Sequence, residues 1–210
     1  MHTYNVFVNK CKPNVNVTFE QIILAMALTE TRKVKLGFDA PKFSLLDVVR
    51  NEERQLKDLK GERATVFMFI CNHCPYVIHV REQLVKVAND YLLKGISFIA
   101  ISSNDVEKYP QDGPEEMRKL AEEHNFPFPY LYDETQEVAK AYQAQFTPDF
   151  MAFNADLKCV YRGRLDNSTP GNGEPVTGKD LRMALNAMLE GEKLMAEQFQ
   201  SMGCNIKWKV

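Results

Sequence analysis

"GERATVFMFICNHCPYVIHVREQLVKVANDYLLKG" occupies residues 61–95, and its hydrophobic period changes partway along. After Gly61 the chain enters a continuous apolar run. Val66, Phe67, Phe69 and Ile70 suit a strand buried on both faces. Beyond Cys74 the period becomes helical. Val77, Val80, Leu84, Val87, Ala88 and Tyr91 recur on one side, and Arg81, Glu82, Lys86 and Asp90 fill the other. The pattern predicts a strand over 61–70 and a helix over 72–92, with Gly95 just past its end. Cys71 and Cys74 fall at the junction, separated by Asn72-His73 and followed by Pro75.

The flanking sequence repeats the alternation. Strands are expected over 41–49, 96–103 and 130–133, and helices over 114–125 and 134–145. "DFMAFN" and "KCVYRGRL" read as a hairpin turning at Ala155-Asp156. A Gly/Pro-rich loop over 166–178 leads to a last helix over 179–190. Strands alternating with helices imply an α/β fold, a central β-sheet with helices on both faces. The hairpin makes that sheet mixed. The expected division is an N-terminal extension over 1–25, a domain over 26–190 and a C-terminal tail over 191–210 packed on it.

Composition narrows the function class. Of 210 residues, 45% are hydrophobic and 26% charged, with a net charge of −2. That is ordinary for a globular protein and lacks the clustered basic surface that nucleic acid or an anionic membrane calls for. No apolar run has the length of a membrane span. "IILAMA" (22–27) is apolar but short and preceded by Glu20, so no cleaved signal is expected and a cytoplasmic location is. Five cysteines are too few and too scattered for a disulfide scaffold, and the odd count leaves a free thiol.

A Cys-x-x-Cys can bind metal, staple the chain, attack a peroxide or exchange disulfides. A strand-to-helix junction favours redox use. The helix N-terminus carries partial positive charge, which favours a thiolate at Cys71. Cys74, one turn on, can resolve a mixed disulfide. Pro75 loses nothing in a first helical turn. His73, when protonated, adds positive charge beside the thiolate and makes the couple more oxidising. Zinc generally takes four ligands, and no second Cys-x-x-Cys or His-x-x-x-His is present. Neither a metal nor a cofactor is expected. Thr147-Pro148 sits just before a strand, where proline is accepted. There the backbone ahead of the proline can hold an incoming peptide by strand-like hydrogen bonds.

"FMFICNHCPYVIHV", "AISSND", "YPQDGPEEMRKLAEEHNFPFPYLYDETQEVAKAYQAQFTPDF" and "VYRGRLDNSTPGNGEPVTGKDLRMAL" together resemble bacterial thioredoxin-family proteins of the redoxin type, near the alkyl hydroperoxide reductase/thiol-specific antioxidant group. "GCNIKWK" resembles the tail of that subgroup. The resemblance implies a thioredoxin-like fold over 26–190, Cys71 as an exposed nucleophile, Cys74 as the resolving thiol and Pro148 as a cis-proline. It also implies a protein or small-molecule disulfide as substrate, with an external electron donor. Ile70 stands where thioredoxin often has tryptophan, and Phe146 where many relatives carry a cysteine. Thr65 takes the place of the acidic proton-transfer residue, leaving His73 and Asp149 as candidate bases.

The resemblance also brings in a rival, thiol peroxidase activity on peroxide. Aligned on Cys74, the peroxiredoxin Pro-x-x-x-Thr-x-x-Cys pattern has Phe67 for its proline and Cys71 for its threonine. Arg162 and Arg164 lie too late to supply its arginine. A third possibility is a non-catalytic binding module. Outside the pair, Cys159 reads as packing and Cys11 as an incidental thiol of the extension. Cys204 reads as a buried tail residue or a partner thiol. Asn104-Asp105 read as a cap or as site lining, and Trp208 as an anchor for the tail.

Overall fold

In the computed structural model, which describes residues 28–30, 35–192, 194 and 198–210, the chain has the expected α/β thioredoxin-like architecture. The segment expected as an extension, with its Cys11, lies outside the described residues. The early strands are β1 (Leu28–Glu30), β2 (Ser44–Asp47) and β3 (Glu52–Gln55), followed by a short helix α1 (Leu56–Leu59). The quoted segment forms β4 (Ala64–Phe69) and α2 (Pro75–Leu92). Then come β5 (Ile96–Ser102), a 3-10 turn (Pro110–Asp112), α3 (Pro114–Glu123), β6 (Tyr130–Tyr132) and α4 (Glu137–Ala141). The chain closes with β7 (Phe146–Thr147), β8 (Asp149–Asn154), β9 (Cys159–Gly163), α5 (Lys179–Glu190) and β10 (Met202–Asn205).

Seven strands form the main sheet in the order β3-β2-β6-β5-β4-β8-β9. β4 pairs parallel to β5 and β5 parallel to β6, while β8, β9, β2 and β3 join antiparallel, so the sheet is mixed. All of β4 is buried, and its residues divide by the strand period of two. Val66 and Met68 pack with Val77, Leu84 and Val87 of α2, Met117 of α3 and Leu181 of α5. Phe67 and Phe69 pack on the opposite face with Leu56 of α1 and Ala139 of α4. The unalternating apolar run therefore marks a central strand covered on both sides.

Several boundaries differ from the sequence expectation. The helix expected over 72–92 begins at Pro75, because Cys74 is extended (φ −66°, ψ 121°) and proline opens the first turn. The helix expected over 134–145 is reduced to Glu137–Ala141, since Gln136 (φ 64°) and Gln143 (φ 56°) adopt left-handed conformations at either side. The strand expected over 41–49 is shorter and turns into the β2–β3 hairpin. A second sheet, ordered β1-β10-β7, has no counterpart in the sequence reading. Its central strand comes from the tail, and it pairs antiparallel with both neighbours.

Candidate active site

Ile70 extends the β4–β5 pairing, its N–H donating to the Ile101 carbonyl at 3.0 Å, and the two cysteines follow immediately. Cys74 caps α2. Both thiols therefore lie at the carboxyl edge of the central strand, over a helix N-terminus. They converge on one residue. Cys71 Sγ lies 3.4 Å from Thr147 Oγ1, and Cys74 Sγ lies 3.1 Å from the Thr147 carbonyl oxygen. The Thr147-Pro148 peptide bond is cis.

Cys71 is 1% exposed and Cys74 is fully buried, so the exposed nucleophile implied by the resemblance is not what the structure contains. The physical reason is the tail. The Thr147 backbone, expected to be open for an incoming peptide, pairs with β10, and Cys204 stands opposite Thr147 in the register. Gly203 permits the approach, because a Cβ there would fall on the Thr147 carbonyl. Beyond the strand, Ile206 N–H donates to the Gln145 carbonyl at 2.9 Å and Asp105 N–H to the Lys207 carbonyl at 2.8 Å. Lys207 N–H donates to Asn104 Oδ1 at 2.8 Å. Trp208 packs on the core face that carries Phe67 and Phe69.

Asn72 and His73 are fixed against the 3-10 turn by Asp112, a residue the sequence reading passed over. Asp112 is fully buried and accepts from Asn72 N–H (2.8 Å), His73 N–H (3.3 Å), His73 Nδ1 (2.6 Å) and Asn104 Nδ2 (2.8 Å). The His73 ring also stacks on Tyr109, with centroids 5.3 Å apart and planes 7° from parallel. Asn72 Nδ2 donates to the Gln111 carbonyl at 2.9 Å, and Tyr130 Oη donates to Asn72 Oδ1 at 3.0 Å. His73 is thus committed to a carboxylate instead of standing free beside a thiolate. An aspartate ahead of a helix-opening Gly-Pro is a common cap, so "QDGP" alone gave no sign that this one reaches the cysteines.

These surroundings divide the thiols. Cys71 is raised well above the ordinary thiol range by its hydrogen bond with Cys74, by burial, and by the charge of Asp112. Cys74 is held well below that range, first by a hydrogen bond from Cys204 and then by one from Cys71, which together outweigh burial. Cys204 is raised in turn by that hydrogen bond and by burial. The three thiols are pushed apart in this way, Cys74 downward and both its neighbours upward. The helix N-terminus favours a thiolate at Cys71, but there the hydrogen bond with Cys74, burial and the Asp112 charge all oppose one.

Cys71 Sγ, His73 Nδ1 and an Asp112 oxygen lie within 4.8 Å of one another. Each Asp112 oxygen already accepts two hydrogen bonds, the pattern of a structural carboxylate and not of a free metal ligand. Asp149 is not brought to the cysteines. It lies on the opposite face with Met151 and Phe153, paired with Arg162 Nη2 at 2.8 Å. Arg164 is held by Asp180 at 2.6 Å. Cys159 is buried on that same far face, and burial pushes its thiol up to about 12. The 166–178 loop shapes a cleft beside the site, in which Ser168, Thr169 and Asn172 face Tyr76, Pro148 and Met202.

Residues 36–163 match the model of the AhpC/TSA family. No curated protein matches the chain. Among solved structures, an uncharacterized conserved protein from Geobacillus kaustophilus is 58% identical (TM-score 0.86), covering 88% of this chain and 98% of that one. A hypothetical protein from Sinorhizobium meliloti is 40% identical (TM-score 0.84), covering 87% of this chain and 99% of that one. The thioredoxin domain of a thiol-disulfide oxidoreductase from Bacteroides vulgatus shares the fold at 17% identity (TM-score 0.56), covering 73% of this chain and 100% of that one.

Proposed function

The chain belongs to the AhpC/TSA family, and from that premise we propose that it is a thiol–disulfide oxidoreductase whose Cys71 and Cys74 cycle between dithiol and disulfide. The observation that carries the reading is the meeting of both sulfurs at Thr147, beside the cis-proline and over the α2 N-terminus. A pair this close titrates as a unit, and its surroundings favour losing the first proton from Cys74.

The exchange with a disulfide RSSR then balances. The Cys71 proton passes along the shared hydrogen bond to the Cys74 thiolate, so Cys74 serves as the base that neither His73 nor Asp149 supplies. The Cys71 thiolate attacks RSSR, forming Cys71–S–S–R and releasing RS⁻. That thiolate takes the proton from Cys74 and leaves as RSH. Cys74 attacks the Cys71 sulfur, closing the internal disulfide and expelling the second RS⁻. An external thiol donor, such as a reducing cytoplasm provides, returns the pair to its starting state.

A second reading is thiol peroxidase activity. It is favoured by the downward push on the Cys74 thiol, the cysteine that aligns with the peroxidatic position. Insulin reduction measured beside peroxide consumption separates the two. The proposal expects disulfide turnover lost in both Cys71→Ser and Cys74→Ser, with the substrate trapped on Cys71 in Cys74→Ser. Peroxide turnover without disulfide reduction would overturn it.

A further inference from the structure

We propose that Cys204 is a third redox thiol, carried by the tail strand as a built-in, strand-shaped substrate and exchanging with the Cys71–Cys74 disulfide to give Cys74–Cys204. The inference rests on the exchange activity proposed above.

The geometry begins with the strand register. Directly opposed residues of an antiparallel pair point their side chains to the same face, with Cβ atoms about 4.5–5.5 Å apart. Cys204 opposes Thr147. The Thr147 side chain faces the pair, its Oγ1 lying 3.4 Å from Cys71 Sγ. The Cys204 thiol is therefore presented to the same site, and it packs with the core cluster that contains Cys71 and Cys74. The lowering of the Cys74 thiol, with Cys204 as its largest cause, agrees with this placement. β10 also takes the backbone positions through which an extended peptide would be held beside a cis-proline. A cysteine-bearing strand docked there stands where a disulfide substrate would stand.

The chemistry needs no further oxidant once a disulfide substrate has oxidised the pair. Cys204, giving up its proton, attacks the Cys74 sulfur. The Cys74–Cys204 bond forms and the Cys71–Cys74 bond breaks. Cys71 leaves as a thiolate and takes the proton, and no net oxidation or reduction occurs. Cys71, high in pKa, is then the free thiol, and the disulfide has moved onto the tail. It can be passed on from there without an external thiol having to reach a fully buried Cys74.

The full-length wild-type protein provides the test. Reduced protein is titrated with oxidised glutathione, quenched with acid and N-ethylmaleimide, digested with trypsin without reduction, and mapped by mass spectrometry. Cys71 and Cys74 share the tryptic peptide 64–81, and Cys204 lies on 194–207. The expected result is a linked 64–81/194–207 species with a matching loss of Cys204 alkylation. The link should dominate in Cys71→Ser and vanish in Cys204→Ser, which keeps the internal 64–81 disulfide. An internal disulfide with Cys204 fully alkylated in the wild type overturns this inference and leaves the exchange reading standing. If both cysteines of 64–81 stay alkylated throughout, the exchange reading falls, and this inference with it.

Discussion

At the scale of single residues, the charge beside Cys71 comes from Asp112, and His73 acts through it. The His73 hydrogen bond at 2.6 Å draws off part of the carboxylate's charge, and what remains disfavours a thiolate at Cys71. Asp112→Asn keeps an oxygen for the Asn72 and His73 amides while removing the charge. By removing a negative charge close to the pair's thiolate it is expected to raise the couple's reduction potential by on the order of 30 mV, about a tenfold change in equilibrium constant. His73→Ala leaves the carboxylate without that partner, and the potential should fall by a similar amount. Glutathione redox titration of both variants checks the opposite signs, and a shift of the same sign in both would refute this account. By sequence alone the imidazole stands beside the thiolate, which gives the same sign, because residues 73 and 112 are far apart in the chain and only the fold brings them together.

Among the elements, the tail strand has the largest consequence and the weakest sequence signal. β4 and α2 could be read directly, since one buried strand and one amphipathic helix each carry a period. β7 is two residues long and β10 is "MGCN", too short and too polar for a period of two to appear. Docking depends on Gly203, whose missing Cβ lets β10 close on Thr147. Gly203→Ala should weaken docking by about 1–3 kcal/mol, the usual cost of overpacking. That corresponds to a roughly 5- to 150-fold larger undocked fraction. The readouts are faster N-ethylmaleimide labelling of Cys71 and Cys74 in the native protein and faster amide exchange at Thr147 and Ile206. Labelling as slow as in the wild type would argue that the tail does not shield the pair.

Over the whole molecule, a sheet buried on both faces places charged groups where solvent cannot reach them. Asp149 is the clearest case. Its carboxyl is fully buried, and burial outweighs Arg162 to hold it up at about 6. In the unfolded chain it titrates near 4. Between those values the folded protein keeps a proton that the unfolded chain has released, so this group's stabilising contribution is present below about 4 and is lost as pH rises through about 6. Urea unfolding of wild type and Asp149→Asn across that window should give a difference, wild type minus variant, that declines by up to about 3 kcal/mol. A flat difference would show that Arg162 keeps the carboxylate charged throughout. The sequence by itself determined the α/β order, the central strand and the cysteine pair at its end, because each rests on local hydrophobic period and adjacent residues. Only the tertiary structure decided that the surroundings push the two thiols in opposite directions, that Asp112 stands beside Cys71, that Asp149 faces away, and that Cys204 closes over the pair. Those depend on contacts between segments distant in the chain, and burial and electrostatics act through space with no trace in local periodicity.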